Sequence, residues 1–182
     1  MKKILVPLAE GFEEIEAITI IDLLRRAGAE VIVASLEKRN VQGSHGLKVI
    51  ADTVLDEVLD ENFEMVVLPG GVPGAPNLMG DTRIIKLLKD QAAASKTSAA
   101  ICAAPAVLQK AGLTNNKTIT SHPAWADRMT TAVHTGARVE TADLLITGQA
   151  AGSAMEFSFK LIEYLYGAGK VTEVNNGVLA KL

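Results

Sequence analysis

The chain has 182 residues, which at roughly 150 residues per domain favours a single domain. Hydrophobic residues make up 48% and charged residues 21% of the chain, which excludes intrinsic disorder, and the net charge of −3 argues against a nucleic-acid binder. The single cysteine, Cys102, excludes an internal disulfide framework, and the longest apolar run, residues 99–108, is too short to cross a bilayer.

Hydrophobic periodicity predicts alternating strands and helices along the chain. In chain order these are a strand at 4–8, a helix at 13–28, a strand at 30–36, irregular strands or a hairpin at 41–53, a strand at 65–68, a helix at 82–94, a strand at 98–101, a helix at 105–112, a short strand at 118–121, a hairpin at 133–146 that turns near 141–143, and helices at 153–166 and 171–182. Apolar strands of this kind are typical of a parallel sheet that helices cover on both faces. We therefore expect one doubly wound α/β domain over residues 1–182, with about five parallel strands.

The carboxyl ends of parallel strands form the ligand-binding edge of such a sheet. The segments expected at this edge are residues 9–16, 69–74, 102–105 and 122–123. Two glycines there, Gly70 and Gly71, follow a buried strand. They either form a tight turn or let the backbone approach a ligand and supply N–H donors.

Cys102 lies where the strand at 98–101 runs into the helix that begins at Pro105. Small residues on both sides allow a sharp turn, as in the strand–turn–helix elbow that presents a nucleophile. The helix N-terminus is expected to lower the thiol pKa, and the N–H of Ala103 is expected to point toward an oxyanion. The alternative is a small, buried and inert side chain.

Two carboxyl groups fall on the apolar side of the first helix. At about 100° per residue, Glu13 and Glu16 lie on the side of Ile20 and Leu24, whereas Glu14 lies on the polar side. Acidic residues in a first turn favour the helix dipole, which accounts for Glu13 and Glu14. Glu16 is deeper and directed at the core, so a raised pKa and a role as general acid or base beside Cys102 are expected.

Several common cofactor motifs are missing from the sequence. There is no GxGxxG after the first strand and no GxxxxGK[ST] loop, and His45, His122 and His134 show no metal-ligand spacing. We therefore expect neither a metal nor an external cofactor. The start of the chain is basic and then apolar, but too short for the apolar region of a signal peptide. With a single free thiol, the sequence predicts a cytoplasmic protein without a membrane partner.

Five segments together resemble the DJ-1/ThiJ/PfpI superfamily, and specifically its DJ-1 branch. They are AEGFEEIE at 9–16, VLPGG at 67–71, AAICAAP at 99–105, His122-Pro123, and Glu156-Phe157. The similarity covers essentially the whole chain, in order and with fitting spacing. The resemblance implies a flavodoxin-like fold, with a mainly parallel sheet sandwiched by helices, and a homodimer.

The resemblance also implies roles for individual residues. Cys102 would be the nucleophilic, oxidation-sensitive cysteine, and Glu16 the protonated carboxyl that contacts it. Gly71 and Ala103 would form the oxyanion site, with Gly70 and Glu13 at the substrate. His122 matches a histidine found near the cysteine in some members. These residues form the predicted site.

Members of this branch are described as glutathione-independent glyoxalases, protein deglycases and redox-responsive chaperones. The resemblance therefore implies a cysteine-dependent glyoxalase or deglycase, acting on 2-oxoaldehydes such as methylglyoxal and glyoxal, or on their adducts with proteins and amino acids, in carbonyl and oxidative stress defence. The alternative is a redox-sensing holdase that works through oxidation of Cys102 to sulfinate without turnover.

A third, weaker class is a hydrolase or amidotransferase, which needs a histidine poised near Cys102. Protease-like relatives place a histidine directly after the cysteine, where this chain has Ala103. Only His122 lies at the expected edge, and His134 is expected to be exposed and inert. Arginines that some members carry near the site are also replaced, by Ser44-His45 and by residues 149–152.

Overall fold

The computed structural model describes residues 1–181, with eleven strands and six α-helices in that range. The strands are β1 (Lys3–Leu8), β2 (Glu30–Ser35), β3 (Asn40–Gln42), β4 (Lys48–Ile50), β5 (Thr53–Val54), β6 (Met65–Leu68), β7 (Thr97–Ile101), β8 (Thr118–Ile119), β9 (Val133–His134), β10 (Val139–Ala142) and β11 (Leu145–Gly148). The helices are α1 (Glu14–Arg26), α2 (Gly74–Gly80), α3 (Thr82–Ala93), α4 (Pro105–Lys110), α5 (Ala154–Tyr166) and α6 (Ala168–Val178).

A seven-stranded sheet forms the centre of the molecule, in the order β10-β11-β7-β6-β1-β2-β5. Every neighbouring pair in it is parallel except β10–β11, which is an antiparallel hairpin. The central order β2-β1-β6-β7-β11 is that of a flavodoxin-like sheet, in which the chain reverses direction across the sheet after β2. The predicted doubly wound, mostly parallel α/β domain is therefore confirmed.

Side chains of the sheet alternate between two hydrophobic layers, as the period of two along a strand requires. In β1, Ile4 and Val6 pack in the layer that contains α1 and α5, whereas Leu5 packs in the layer of α3 and α4. Both layers are closed to solvent, which explains why the strands are apolar at nearly every position. No helix within residues 1–181 is long and apolar enough to span a bilayer.

The structure differs from the sequence prediction in three elements. Helix α2 was not predicted, because Gly74, Pro76 and Gly80 are residues that disfavour helices. The predicted hairpin at 133–146 is wrong in its first part: β9 pairs in parallel with β8, and only β10 and β11 form a hairpin. The predicted last helix, 171–182, is α6 and begins at Ala168; residue 182 lies outside the described residues.

Candidate functional site

The backbone at Cys102 makes the sharp turn that the sequence predicted between β7 and α4. Its φ of +64° lies in the left-handed region, which a residue with a side chain occupies only when its surroundings hold it there. Two hydrogen bonds do so. The Cys102 N–H donates to the carbonyl of Gly148 at 3.0 Å, and the Cys102 carbonyl accepts the N–H of His122 at 2.9 Å. The turn leaves the thiol half-buried at the carboxyl edge of the sheet.

Glu16 points from α1 into the same edge, and its side chain is fully buried. The N–H of Gly70 donates to its Oε2 at 2.8 Å, whereas Oε1 has no hydrogen-bond partner within the described residues. Gly70 has no space for a side chain, because a Cβ there would lie 2.7 Å from Glu16 Oε2 and 2.8 Å from Cys102 Cβ. The carboxyl and the thiol are therefore neighbours across a glycine, as the helical pattern of α1 predicted.

Each of these two groups perturbs the ionisation of the other. Burial raises the pKa of Glu16 to about 7, against the opposing effect of the Cys102 thiol and the Gly70 N–H. Burial and the negative charge of Glu16 raise the pKa of Cys102 to about 12. Two buried neighbours of this kind disfavour holding two negative charges, so the pair carries at most one negative charge near neutral pH, and Glu16 is the group that ionises first.

The helix N-terminus was expected to lower the thiol pKa, but the net direction is the opposite. The N–H groups of Ala103 and Gly71 do lower the pKa of Cys102, but burial and ionised Glu16 outweigh them. Both N–H groups are directed at the sulfur, in the place predicted for oxyanion donors. The N–H of Gly70 differs from the prediction, because it binds Glu16 and is not directed at a ligand.

Glu13 and Glu14 hold the β3–β4 hairpin over the start of α1. Glu13 caps α1 and lies 3.4 Å from His45 Nδ1. Glu14 accepts the N–H groups of His45 and Leu47 at 2.7 and 3.3 Å and lies 3.0 Å from His45 Nδ1. Burial would raise the pKa of Glu14, but these hydrogen bonds lower it to about 2. Glu14 was predicted on the polar side of α1, and it is nevertheless buried because the hairpin covers that side.

Sequence spacing also failed to reveal that Glu13, Glu14 and His45 offer ligand-type atoms within 4.8 Å of one another. His45 lies exposed beside the two carboxylates, and its hydrogen bond to Glu14 raises the pKa of the imidazole. A protonated His45 supplies the positive charge that the two neighbouring carboxylates require. Charge pairing among these side chains therefore accounts for the cluster.

The other two histidines differ from each other in their contacts. His122 adjoins Cys102 through its backbone, while its ring Nδ1 accepts the N–H of Ala124 at 3.1 Å. That bond occupies the ring nitrogen as a cap of the following turn. His134 was expected to be exposed and inert, but it is half-buried, and its Nε2 accepts the N–H of Ser121 at 3.1 Å.

A comparison with known families decides the assignment of the chain. The model of the DJ-1/PfpI family matches residues 2–164. The chain belongs to the DJ-1/PfpI family. The crystal structure of Drosophila melanogaster DJ-1beta matches the fold with a TM-score of 0.96 and 38% identity, covering 100% of this chain and 99% of that one. The resemblance to the DJ-1 branch is thus confirmed.

Two further DJ-1 relatives bear on length and function. Protein DJ-1 homolog A of Arabidopsis thaliana is 40% identical over 179 residues, which is 97% of this chain but 46% of that protein. The chain therefore spans less than half the length of this relative. Glutathione-independent glyoxalase DJR-1.2 of Caenorhabditis elegans is 34% identical over 173 residues, covering 94% of this chain and 91% of that protein.

Proposed function

We propose that this DJ-1/PfpI protein is a glutathione-independent glyoxalase that converts methylglyoxal and related 2-oxoaldehydes into hydroxy acids. The observation that carries the proposal is the buried Glu16 carboxyl, with its raised pKa, beside the thiol of Cys102. A nucleophile paired with a group that exchanges a proton near pH 7 is what this isomerisation requires. The name of the Caenorhabditis elegans relative supports the same chemistry.

The reactive form is the one in which the proton of the thiol has moved to Glu16. It is the minor arrangement, because the pKa of Cys102 lies above that of Glu16, and three features lower its cost. Sulfur faces two N–H donors, those of Gly71 and Ala103, whereas Glu16 receives one, from Gly70. Glu16 is also the more deeply buried of the two groups, so neutralising it there avoids the larger desolvation cost. Its Oε1 has no hydrogen-bond partner within residues 1–181 and is therefore available to carry the proton.

The reaction begins when the Cys102 thiolate attacks the aldehyde carbon of methylglyoxal. A carbon–sulfur bond forms, and the aldehyde oxygen gains negative charge beside the N–H groups of Gly71 and Ala103, before taking the proton from Glu16. The product of this step is a hemithioacetal. Glu16, now ionised, is positioned to remove the hydrogen from the carbon bonded to sulfur.

Removal of that hydrogen leaves an enediolate. Glu16 then returns the proton to the adjacent carbon, and the hydroxyl proton on the former aldehyde oxygen passes to the former ketone oxygen, so the former aldehyde carbon is oxidised and the former ketone carbon is reduced. The adduct becomes a thioester of lactate, and water cleaves it to lactate and the free thiol. The overall change is addition of one water to methylglyoxal, so no external oxidant or reductant enters. Deglycation of protein or amino-acid adducts would use the same attack by Cys102.

The test is lactate formation from methylglyoxal without glutathione. Wild type is expected to form lactate, while Cys102→Ser and Glu16→Ala are expected to lose the activity. Asp22→Asn changes an exposed carboxylate on the other side of α1 and serves as the control with full activity. Full activity in Cys102→Ser, or none in wild type, would contradict the proposal.

A second candidate is a redox-sensing holdase, favoured by the surroundings of the single thiol. Sulfinate oxygens on Cys102 would face protonated Glu16 and the two N–H groups that are directed at sulfur. Mild peroxide followed by mass spectrometry distinguishes the two functions. Selective gain of two oxygens at Cys102, with no turnover of any aldehyde, would support the holdase over the enzyme.

We further propose a homodimer built on α1 and the β3–β4 hairpin. Ile15 and Ile18 of α1 and Leu47 and Ile50 of the hairpin are exposed apolar side chains. The hydrogen bond from Leu47 N–H to Glu14 places the two elements side by side. Exposed apolar side chains on two adjacent elements are typical of a protein interface. The free thiol also suits a reducing compartment such as the cytoplasm.

A further inference from the structure

Three consecutive backbone N–H groups lead to the Cys102 turn: the first two donate to side chains of β11 and β9, and the third donates to Cys102 itself. Thr120 N–H donates to Thr147 Oγ1 at 2.9 Å, Ser121 N–H to His134 Nε2 at 3.1 Å, and His122 N–H to the carbonyl of Cys102 at 2.9 Å. Thr120 and Ser121 are fully buried. Because solvent does not reach these two residues, water would not replace a hydrogen bond that either of their N–H groups lost.

His134 reaches Ser121 because of the unpredicted pairing of β8 with β9. In this parallel pair Ile119 lies opposite His134, two residues before Ser121. The ring lies within 3.0 Å of the Ser121 hydroxyl as well as within hydrogen-bond distance of the Ser121 N–H. Because a backbone N–H only donates, Nε2 must be unprotonated, which places the ring proton of neutral His134 on Nδ1.

We propose that His134 is a positioning residue for the Cys102 nucleophile. The hydrogen bond to His134 holds Ser121 in place, and Ser121 positions the backbone N–H of His122. That N–H donates to the Cys102 carbonyl and so helps to hold Cys102 in its left-handed conformation. The inference rests on the proposed role of Cys102. Without His134, the turn at Cys102 is expected to relax and to carry the sulfur away from the N–H groups of Gly71 and Ala103, which favour the thiolate.

The experiment measures the rate at which iodoacetamide alkylates the protein, followed by mass spectrometry. Cys102 is the only cysteine in the chain, so every alkylated thiol reports on this site. His134→Leu removes the acceptor and is expected to slow alkylation about tenfold, as loss of a buried hydrogen bond suggests. His134→Gln places an amide oxygen where Nε2 was and is expected to restore most of the rate.

Val133→Ala is the matched control, because Val133 is exposed on the same strand and its side chain points away from Ser121 along the strand alternation. A merely structural role predicts the opposite sign for His134→Leu, since local unfolding exposes the thiol and speeds alkylation. An unchanged or faster rate in His134→Leu, or a Gln variant as slow as the Leu variant, would overturn the inference.

Two further readouts keep the result interpretable. If His134→Leu does not fold, His134→Asn replaces it, because its amide is too short to reach Ser121 and should remain slow where Gln recovers. Lactate formation is measured in parallel. Wild type that forms no lactate but shows the same alkylation pattern would reject the proposed glyoxalase activity and retain the positioning role.

Discussion

Glu16 and Gly70 are 54 positions apart in sequence, yet the N–H of Gly70 donates to Glu16 Oε2 at 2.8 Å. This bond joins the first turns of α1 to the end of β6, directly beside Cys102. It fixes one carboxyl oxygen and leaves the other without a partner in the described part of the chain. The arrangement suits a carboxyl that holds and releases a proton without moving.

Glu16→Gln tests proton exchange while keeping the shape of the side chain. The amide oxygen still accepts the Gly70 N–H, but the group neither takes the thiol proton nor transfers one between carbons. General acid–base catalysis contributes roughly 10²–10⁴-fold, so lactate formation is expected to fall at least about hundredfold. Steady-state rates with methylglyoxal measure this. Activity within a fewfold of wild type would contradict a proton-transfer role.

Gly70→Ala tests how closely the carboxyl and the thiol must approach. A methyl group at Gly70 would overlap Glu16 Oε2 and Cys102 Cβ, so lactate formation should fall strongly and stability by about 1–3 kcal/mol. Gly80→Ala is the matched control, because a Cβ at Gly80 meets nothing within 4 Å. Equal activity and equal urea midpoints in the two variants would show that the close approach is unimportant.

The raised pKa of Glu16 predicts how stability depends on pH. In the unfolded chain the carboxyl ionises near pH 4.5, whereas in the folded chain it keeps its proton up to about pH 7. The folded state therefore binds the extra proton, and the free energy of unfolding should fall as pH rises from 4.5 to 7, by on the order of 3 kcal/mol. Urea unfolding at several pH values measures it. Glu16→Gln should flatten the dependence in this window, and parallel curves would refute the assignment.

Glu14→Ala is expected to release the β3–β4 hairpin from α1. Glu14 accepts the N–H groups of His45 and Leu47, and hydrogen bonds to a charged acceptor are among the stronger ones. Amide hydrogen exchange at both residues should speed up about tenfold or more. Asp22→Asn, on an exposed position of the same helix, should leave these two amides unchanged. Unaltered protection in Glu14→Ala would mean that other contacts hold the hairpin.

Ile50→Lys tests the proposed dimer surface. A lysine at this exposed hairpin position should place an unpaired charge in the interface, so sedimentation velocity is expected to show a shift from dimer to monomer. Val133→Lys introduces the same charge at an exposed apolar position on β9 and is expected to leave the dimer intact. A wild-type monomer, or equal dissociation in both variants, would reject this surface.

Local patterns were sufficient to predict the central part of the site. The small residues between β7 and Pro105 predicted the turn at Cys102, and the 3.6-residue period of α1 directed Glu16 to the core. Both depend on residues close in sequence. The same period did not reveal that Glu14 is buried, because the residues that cover it, 43–47, belong to a hairpin about 30 positions away in sequence.

Ionisation and strand pairing were harder to predict for the same reason. The direction of the Cys102 pKa depends on the burial and charge of Glu16, not only on the neighbouring helix. β8 and β9 are two-residue strands that pair in parallel across a long turn, whereas the sequence around β9 resembles the first strand of a hairpin at 133–146. His134 was therefore treated as a surface residue, although it binds the segment beside the nucleophile.

Strand β11 supplies no reacting group, yet its alignment with β7 fixes the position of the nucleophile. Its Gly148 lies opposite Ile101 and accepts the Cys102 N–H, while its Thr147 accepts the Thr120 N–H. A side chain at position 148 would lie 2.9 Å from Ile101 and from Phe157. If β11 slipped by one residue against β7, a larger residue would have to occupy that space. The sheet therefore admits only the alignment in which Gly148 and His122 both hydrogen-bond to Cys102.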